Sequence, residues 1–252
     1  MATIRYAAAI AITLAGVTAQ AGEVRVLSPS AMHSSLEALA AAHRKQSGDE
    51  VKLAFETAPA MRKKLAAGET ADVIIVPPAA MAEIVKMGKA VPEGHYDLGR
   101  VGVGVAVRAG SPVPDISTTE ALKRSLLSAD SVAYNRASSG MYVERLMDKL
   151  GLTEPLKAKT VRHHDALESF THLLAGKGRE IGFGGMTEIV RWRDKGVRMV
   201  GPLPADIQNY TVYTAALATE PHNPEGARAF LRFLASPAAR AIFTSYGVDP
   251  AQ

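Results

Sequence analysis

Cysteine is absent from all 252 residues. That one absence excludes disulfides, thiolate metal sites, iron–sulfur clusters and cysteine nucleophiles. A preponderance of one charge sign is lacking too, since 29 Lys plus Arg face 25 Asp plus Glu for a formal net charge of +4. Aromatics make up only 6%, and no basic stripe has aromatics interleaved, so no nucleic-acid partner is expected. No stretch approaches the roughly 20 apolar residues that cross a bilayer, so no membrane anchor is expected. What remains is a chain 47% hydrophobic and 21% charged, long enough for one large domain or two modest ones.

The first 21 residues read as an export signal. Arg5 lies in a short basic start, Tyr6 to Val17 is almost continuously apolar, and Ala19-Gln20-Ala21 offers a small-x-small cleavage pattern. Cleavage after Ala21 leaves a chain starting at Gly22, with no cysteine there to take a lipid. The expected location is the periplasm, as a free monomer, where a chain without cysteine avoids mispairing.

The remainder alternates strand and helix. Strands are expected at 24–28, 51–56, 72–76, 100–108, 131–135, 159–162, 180–183, 197–200 and 210–218. Helices are expected at 34–46, 59–67, 79–87, 139–150, 166–175, 186–194, 224–234 and 237–246, with Pro224 and Pro237 at helix starts. The continuous apolar run at 72–76 suits a strand buried on both faces. The fold class is therefore α/β, as two lobes, each a mainly parallel sheet flanked by helices. The first lobe is expected over 22–100 plus 211–252 and the second over 101–210, with crossings near Gly99–Gly110 and Gly201–Tyr210. Such sheets bind ligands at the carboxyl ends of their strands, here in a cleft between lobes.

Four strand-end loops carry polar groups. Ser30, Ala31, Met32 and His33 precede the first helix, where free N–H groups favour an anion; simple capping by Ser34 or His33 is the bland alternative. Arg136, Ser138, Ser139 and Gly140 open another helix, and a guanidinium grips a carboxylate at two points. Arg162, His163, His164 and Asp165 form a third group, and such a cluster is more often an Asp165 cap on a helix with His and Arg beside it. Adjacent histidines are not metal-ligand spacing, so no metal is expected. Gly184, Gly185 and Thr187 form the fourth, without the pattern of a phosphate loop or dinucleotide fingerprint, so no cofactor is expected. No Gly-x-Ser-x-Gly or Ser-x-x-Lys motif marks a hydrolase.

Several segments together resemble the periplasmic solute-binding proteins typified by the molybdate receptors of ABC transporters. They are Val26 to Leu36, Leu65 to Ile75, Ser138-Ser139-Gly140, Glu180 to Phe183 and the closing stretch from Phe230 to Gly247. The resemblance implies a hinged, two-lobed receptor that passes an anion to a membrane permease. It also implies that Ala31 stands where those receptors use a serine hydroxyl. Thr57 and Ala58 occupy their serine-rich turn, and Gly184 or Gly185 replaces a ligand tyrosine. Only Ser138-Ser139-Gly140 is kept. The glycines are expected to enlarge the site, and Arg136, Arg162, His33, His163 and His164 to make it cationic. An organic di- or tricarboxylate is the ligand this favours, with molybdate or another oxyanion as a lesser alternative. An enzyme similar to this family, aconitate isomerase, supplies the remaining alternative, with His33, His163, His164 and Glu188 as candidates for moving a proton and Glu56 as a weaker choice.

Overall fold

The computed structural model describes residues 22–251, so the expected export signal lies outside the described residues. The chain runs β1 (Glu23–Ser28), α1 (His33–Ser47), β2 (Glu50–Phe55), α2 (Ala58–Ala66), β3 (Val73–Val76), α3 (Pro78–Lys86) and β4 (Tyr96–Arg108). It continues through α4 (Thr119–Ser128), β5 (Ser131–Asn135), α5 (Ser138–Lys149), α6 (Thr153–Leu156), β6 (Thr160–His163), α7 (Ala166–Ala175), β7 (Glu180–Gly185) and α8 (Met186–Arg191). Last come β8 (Val197–Pro202), β9 (Tyr210–Leu217), α9 (Pro224–Leu234) and α10 (Pro237–Ser245).

The strands order as β2-β1-β3-β9-β4-β7-β5-β6, with β8 also on β4. β1 pairs in parallel with β2 and β3, and β5 in parallel with β6 and β7. β4 belongs to both lobes. Its first part, Tyr96 to Gly102, pairs antiparallel with β9, and its second, from Val103, pairs with β7 and β8. Cores form on each side of that handover. Val24, Val73, Ile75, Phe230 and Phe243 pack in the first lobe; Val105, Val132, Leu146 and Phe183 pack in the second.

Local chemistry explains most element ends. Thr57, Thr118, Asp165, Asn223 and Ser236 each accept a backbone N–H across the first turn of the helix they precede. Gly68 follows α2 with φ +95°, a conformation that favours glycine. β4 starts four residues before the expected Arg100, because Tyr96 and Asp97 pair with Ala215 and Thr214 and Thr214 Oγ1 donates to Asp97 Oδ1 at 2.6 Å. At Gly99 a Cβ would lie 2.6 Å from the Asp249 carbonyl oxygen, so the glycine lets the C-terminal segment lie on β4. α4 has no counterpart in the sequence expectations, although Ala121, Leu122 and Leu126 are buried on one face behind the Thr118 cap. β7 extends through Gly184 and Gly185, which the sequence reading placed in a turn. The helix expected over 186–194 ends at Arg191 and a 3-10 turn follows.

Candidate functional site

The carboxyl ends of β1, β5 and β7 turn directly into helical segments. At the first, a 3-10 turn over Ser30–Met32 leads into α1, and no side chain caps either helix start. Met32 is wholly buried beside Leu36 and Leu39, so its side chain belongs to the core. Ala31 packs against that same core, and Ser30 is exposed. His33 stacks on Phe55 at the end of β2, with ring centroids 4.1 Å apart, and its Nδ1 lies 3.2 Å from Glu37 Oε2. Burial, and after it the Arg191 guanidinium, hold this imidazole below its ordinary range against the pull of Glu37. Arg191 sits on α8, which contacts the 30–32 turn, so the two lobes meet here.

At β5 the chain folds tightly. The Ala137 N–H donates to Asn135 Oδ1 at 3.0 Å, and a Cβ at Gly140 would run into the Asn135 carbonyl. Ser139 is buried and Ser138 half-buried, and neither hydroxyl caps α5. Arg136 is exposed and makes no ion pair among the described residues.

At β7 the backbone passes under α8. Glu188 is buried and accepts the Gly185 N–H at 3.3 Å. Burial pushes its carboxyl up, opposed chiefly by that hydrogen bond and by Arg191. Tyr213 of β9 is buried within electrostatic reach of Glu188, and its phenol is pushed up, first by burial and then by that carboxyl. Thr187 Oγ1, Asn135 Nδ2 and His163 Nε2 are buried without a hydrogen-bond partner.

The structure brings only part of the expected set together. Arg162 spends its guanidinium on Glu144 of α5, at 2.7 Å on the exposed edge. His163 packs toward α7, its ring 5.3 Å from His172 and its Nδ1 3.8 Å from Glu168. The His164 side chain is 77% exposed beside Asp165, whose Oδ1 caps α7. Thr57 Oγ1 is occupied by the Ala60 N–H at 3.3 Å, and Ala58 begins α2. Glu56 is paired with Lys64. The expected room over the glycines is occupied instead. A Cβ on Gly184 would meet Phe170 at 3.0 Å, and one on Gly185 would meet Val101 and Glu188. Asn135, Arg191, Phe55 and Tyr213 were not singled out from sequence. Arg191 had a signal, one helical turn from Glu188; the other three gain meaning only from tertiary contact. Among the described residues no cluster of three His, Asp or Glu forms a metal site, and no helix is long and apolar enough to cross a membrane. Two surface recesses of about 210 and 220 Å³ lie elsewhere, against Arg25 and Lys52 and beside Pro112 and Ser125.

A family model described as bacterial extracellular solute-binding protein matches residues 24–249. Aconitate isomerase from a Pseudomonas species is 32% identical over 233 residues, covering 89% of this chain and 87% of that protein. The molybdate-binding protein ModA of Escherichia coli K12 is 24% identical over 246 residues, covering 95% and 94%. The periplasmic molybdate-binding protein of Azotobacter vinelandii superposes with a TM-score of 0.75 at 18% identity, over 91% of this chain and 100% of that one.

Proposed function

The chain belongs to the bacterial extracellular solute-binding proteins, and from that premise we propose that its cleft binds a small organic polycarboxylate. Lobes hinged near residues 100 and 210 would close on the ligand in the periplasm and present it to an ABC permease. One observation carries the choice of ligand. Arg136 is exposed without an ionic partner among the described residues, beside Ser138 and Ser139, and the resemblance implies that Ala31, Ala58 and Gly185 stand where the molybdate receptors offer hydroxyls. Neutral dipoles suit a small tetrahedral oxyanion, whereas a guanidinium fork suits a planar carboxylate. A thermal-shift screen of molybdate, sulfate, citrate, cis-aconitate and trans-aconitate tests this. A ligand at 100 times its Kd adds about 2.7 kcal/mol. Stabilisation by molybdate with none by the organic acids refutes the proposal.

A second reading is isomerisation of aconitate, and two observations favour it. The relative at 32% identity is an aconitate isomerase, and Glu188 is a buried carboxyl whose basicity burial raises. Such a reaction breaks a methylene C–H bond, shifts the double bond by one carbon and delivers a proton to the far alkene carbon. A carboxyl whose pKa burial raises is a stronger base than an exposed one, and its acid form can return the proton. Incubation with trans-aconitate in deuterated water, followed by proton NMR, separates the readings. Formation of the cis isomer supports the enzyme, and unchanged ligand with saturable binding supports the receptor alone.

A further inference from the structure

Gly22, one residue ahead of β1, is half-buried and held on three sides. Its N–H donates to Asp49 Oδ1 at 3.0 Å, and its carbonyl accepts the Glu50 N–H at 2.9 Å. A Cβ on residue 22 would lie 2.3 Å from Asn223 Nδ2. That amide is pinned, because Nδ2 donates to the Glu23 carbonyl at 3.3 Å and Oδ1 caps α9 by accepting the Gly226 N–H at 3.0 Å. Glycine is the residue that fits. Asp49, for its part, is an acid in an unfavourable place. It comes directly after the Gly48 cap of α1, next to the negative end of the helix dipole. Among the described residues no Lys or Arg pairs with it. Its Oδ2 lies 3.8 Å from His43 Nε2, but burial holds that imidazole below its ordinary range, so it is neutral at neutral pH. This carboxylate, 17% exposed, lacks a cation.

We propose that Asp49 is a docking site for a free α-ammonium, that of Gly22 itself, made when the chain is cut between Ala21 and Gly22. The ligand in the cleft plays no part in this. Water is the second reactant of the cut: it leaves a carboxylate on Ala21 and an amine on Gly22 that holds the extra proton at neutral pH. One neutral N–H donor thereby becomes a charged group with three, at the same 3.0 Å from the same carboxylate. Such a charge-assisted bond is roughly twice as strong as a neutral one. A cut one residue to either side loses the match. On one side the charge moves beyond Gly22, and on the other the glycine is gone. The mature chain thus gains an ion pair that its precursor lacks, and the folded state is favoured by processing.

Two forms released from a cleavable tag, one starting at Gly22 and the other at Thr18, differ in where the ammonium lies. The added residues carry it up to about 13 Å away. That exceeds the screening length of about 8 Å at 0.15 M salt. The Gly22 form is expected to melt roughly 2–4 °C higher, and the gap to close in Asp49→Asn, which keeps an oxygen acceptor without the charge. Asp49→Asn disturbs His43 equally in both forms, so the difference between them isolates the terminus. Acylation of the α-amine by an N-hydroxysuccinimide ester at about pH 7, located by peptide mass, reads the charge without any variant. It is expected to be several-fold slower in the Gly22 form than in the Thr18 form, and to speed up in Asp49→Asn. N-terminal sequencing of protein exported from cells that make the full chain is expected to begin at Gly22. Equal melting and equal acylation of the two forms, or differences that survive Asp49→Asn, overturn the ammonium site. A first residue other than Gly22 overturns the cut.

Discussion

Replacing Asp72 by alanine is expected to cost the fold about 2–4 kcal/mol, and the structure shows where that loss arises. Asp72 is fully buried just before β3. Its Oδ2 accepts the Arg25 N–H of β1 at 2.7 Å, and its Oδ1 accepts the Asn223 N–H at 2.8 Å, ahead of α9. One carboxylate thus ties three segments that are far apart in sequence. The alanine leaves two partly buried N–H groups without acceptors, each worth about 1–3 kcal/mol, and removing a buried charge offsets part of that. For a chain of this size the melting temperature should drop by roughly 4–16 °C. Asp130 is the matched control. Its Oδ2 accepts the Arg179 N–H at the same 2.7 Å, but its side chain is 52% exposed and water can replace it. Asp130→Ala should therefore cost under about 1 kcal/mol. Urea unfolding of both variants measures the difference, and equal losses would refute the argument from burial.

Gly140→Ala drives a methyl into the Asn135 backbone carbonyl, so it should destabilise by about 1–3 kcal/mol and weaken ligand binding, as calorimetry and melting of the one variant will show. His43 lies among Phe230 and Phe233, and burial, opposed by Asp49, lowers its pKa from 6.5. The folded state then resists its protonation, so stability is held above about pH 6.5 and falls below it, and a His43→Leu variant should show a flatter urea-midpoint profile from pH 7 to pH 5. Arg136→Ala should weaken polycarboxylate binding by about 1–2 kcal/mol because that guanidinium is uncommitted. Arg162→Ala should change binding by less than about 0.5 kcal/mol, since its partner is Glu144 at the exposed edge, and a larger loss there would relocate the site.

The sheet strands and most helices were legible because each has a local cause. The apolar run before Pro77 reads as a buried strand, and Pro224 and Pro237 mark helix starts that the structure reproduces. α4 was missed although Thr118 caps it and Leu122 and Leu126 stand one turn apart, since the preceding Gly-Pro-rich turn drew the whole stretch into a loop. The site was less legible for a different reason. Phe170 fills the room over Gly184 from α7, and Tyr213 approaches Glu188 from a strand 25 positions on in the numbering. Such neighbours follow from strand order, not from any local pattern. Arg162 illustrates the converse. A guanidinium at a strand end reads as a ligand group until its partner on α5 is seen.

The order in which the strands are made has a consequence for synthesis. β1, β2 and β3 leave the ribosome well before β9, yet β9 is the neighbour that covers the free edge of β3, where Val73 meets Leu217 and Val76 meets Thr214. Asp72 likewise waits for Asn223. The whole second lobe is translated in between. Until β9 and α9 have appeared, the N-terminal strands hold an open edge and an unclosed core, and long-range closure of this kind is slow. A delay of that sort keeps a nascent chain threadable, which is the condition set by an export channel that passes unfolded polypeptide.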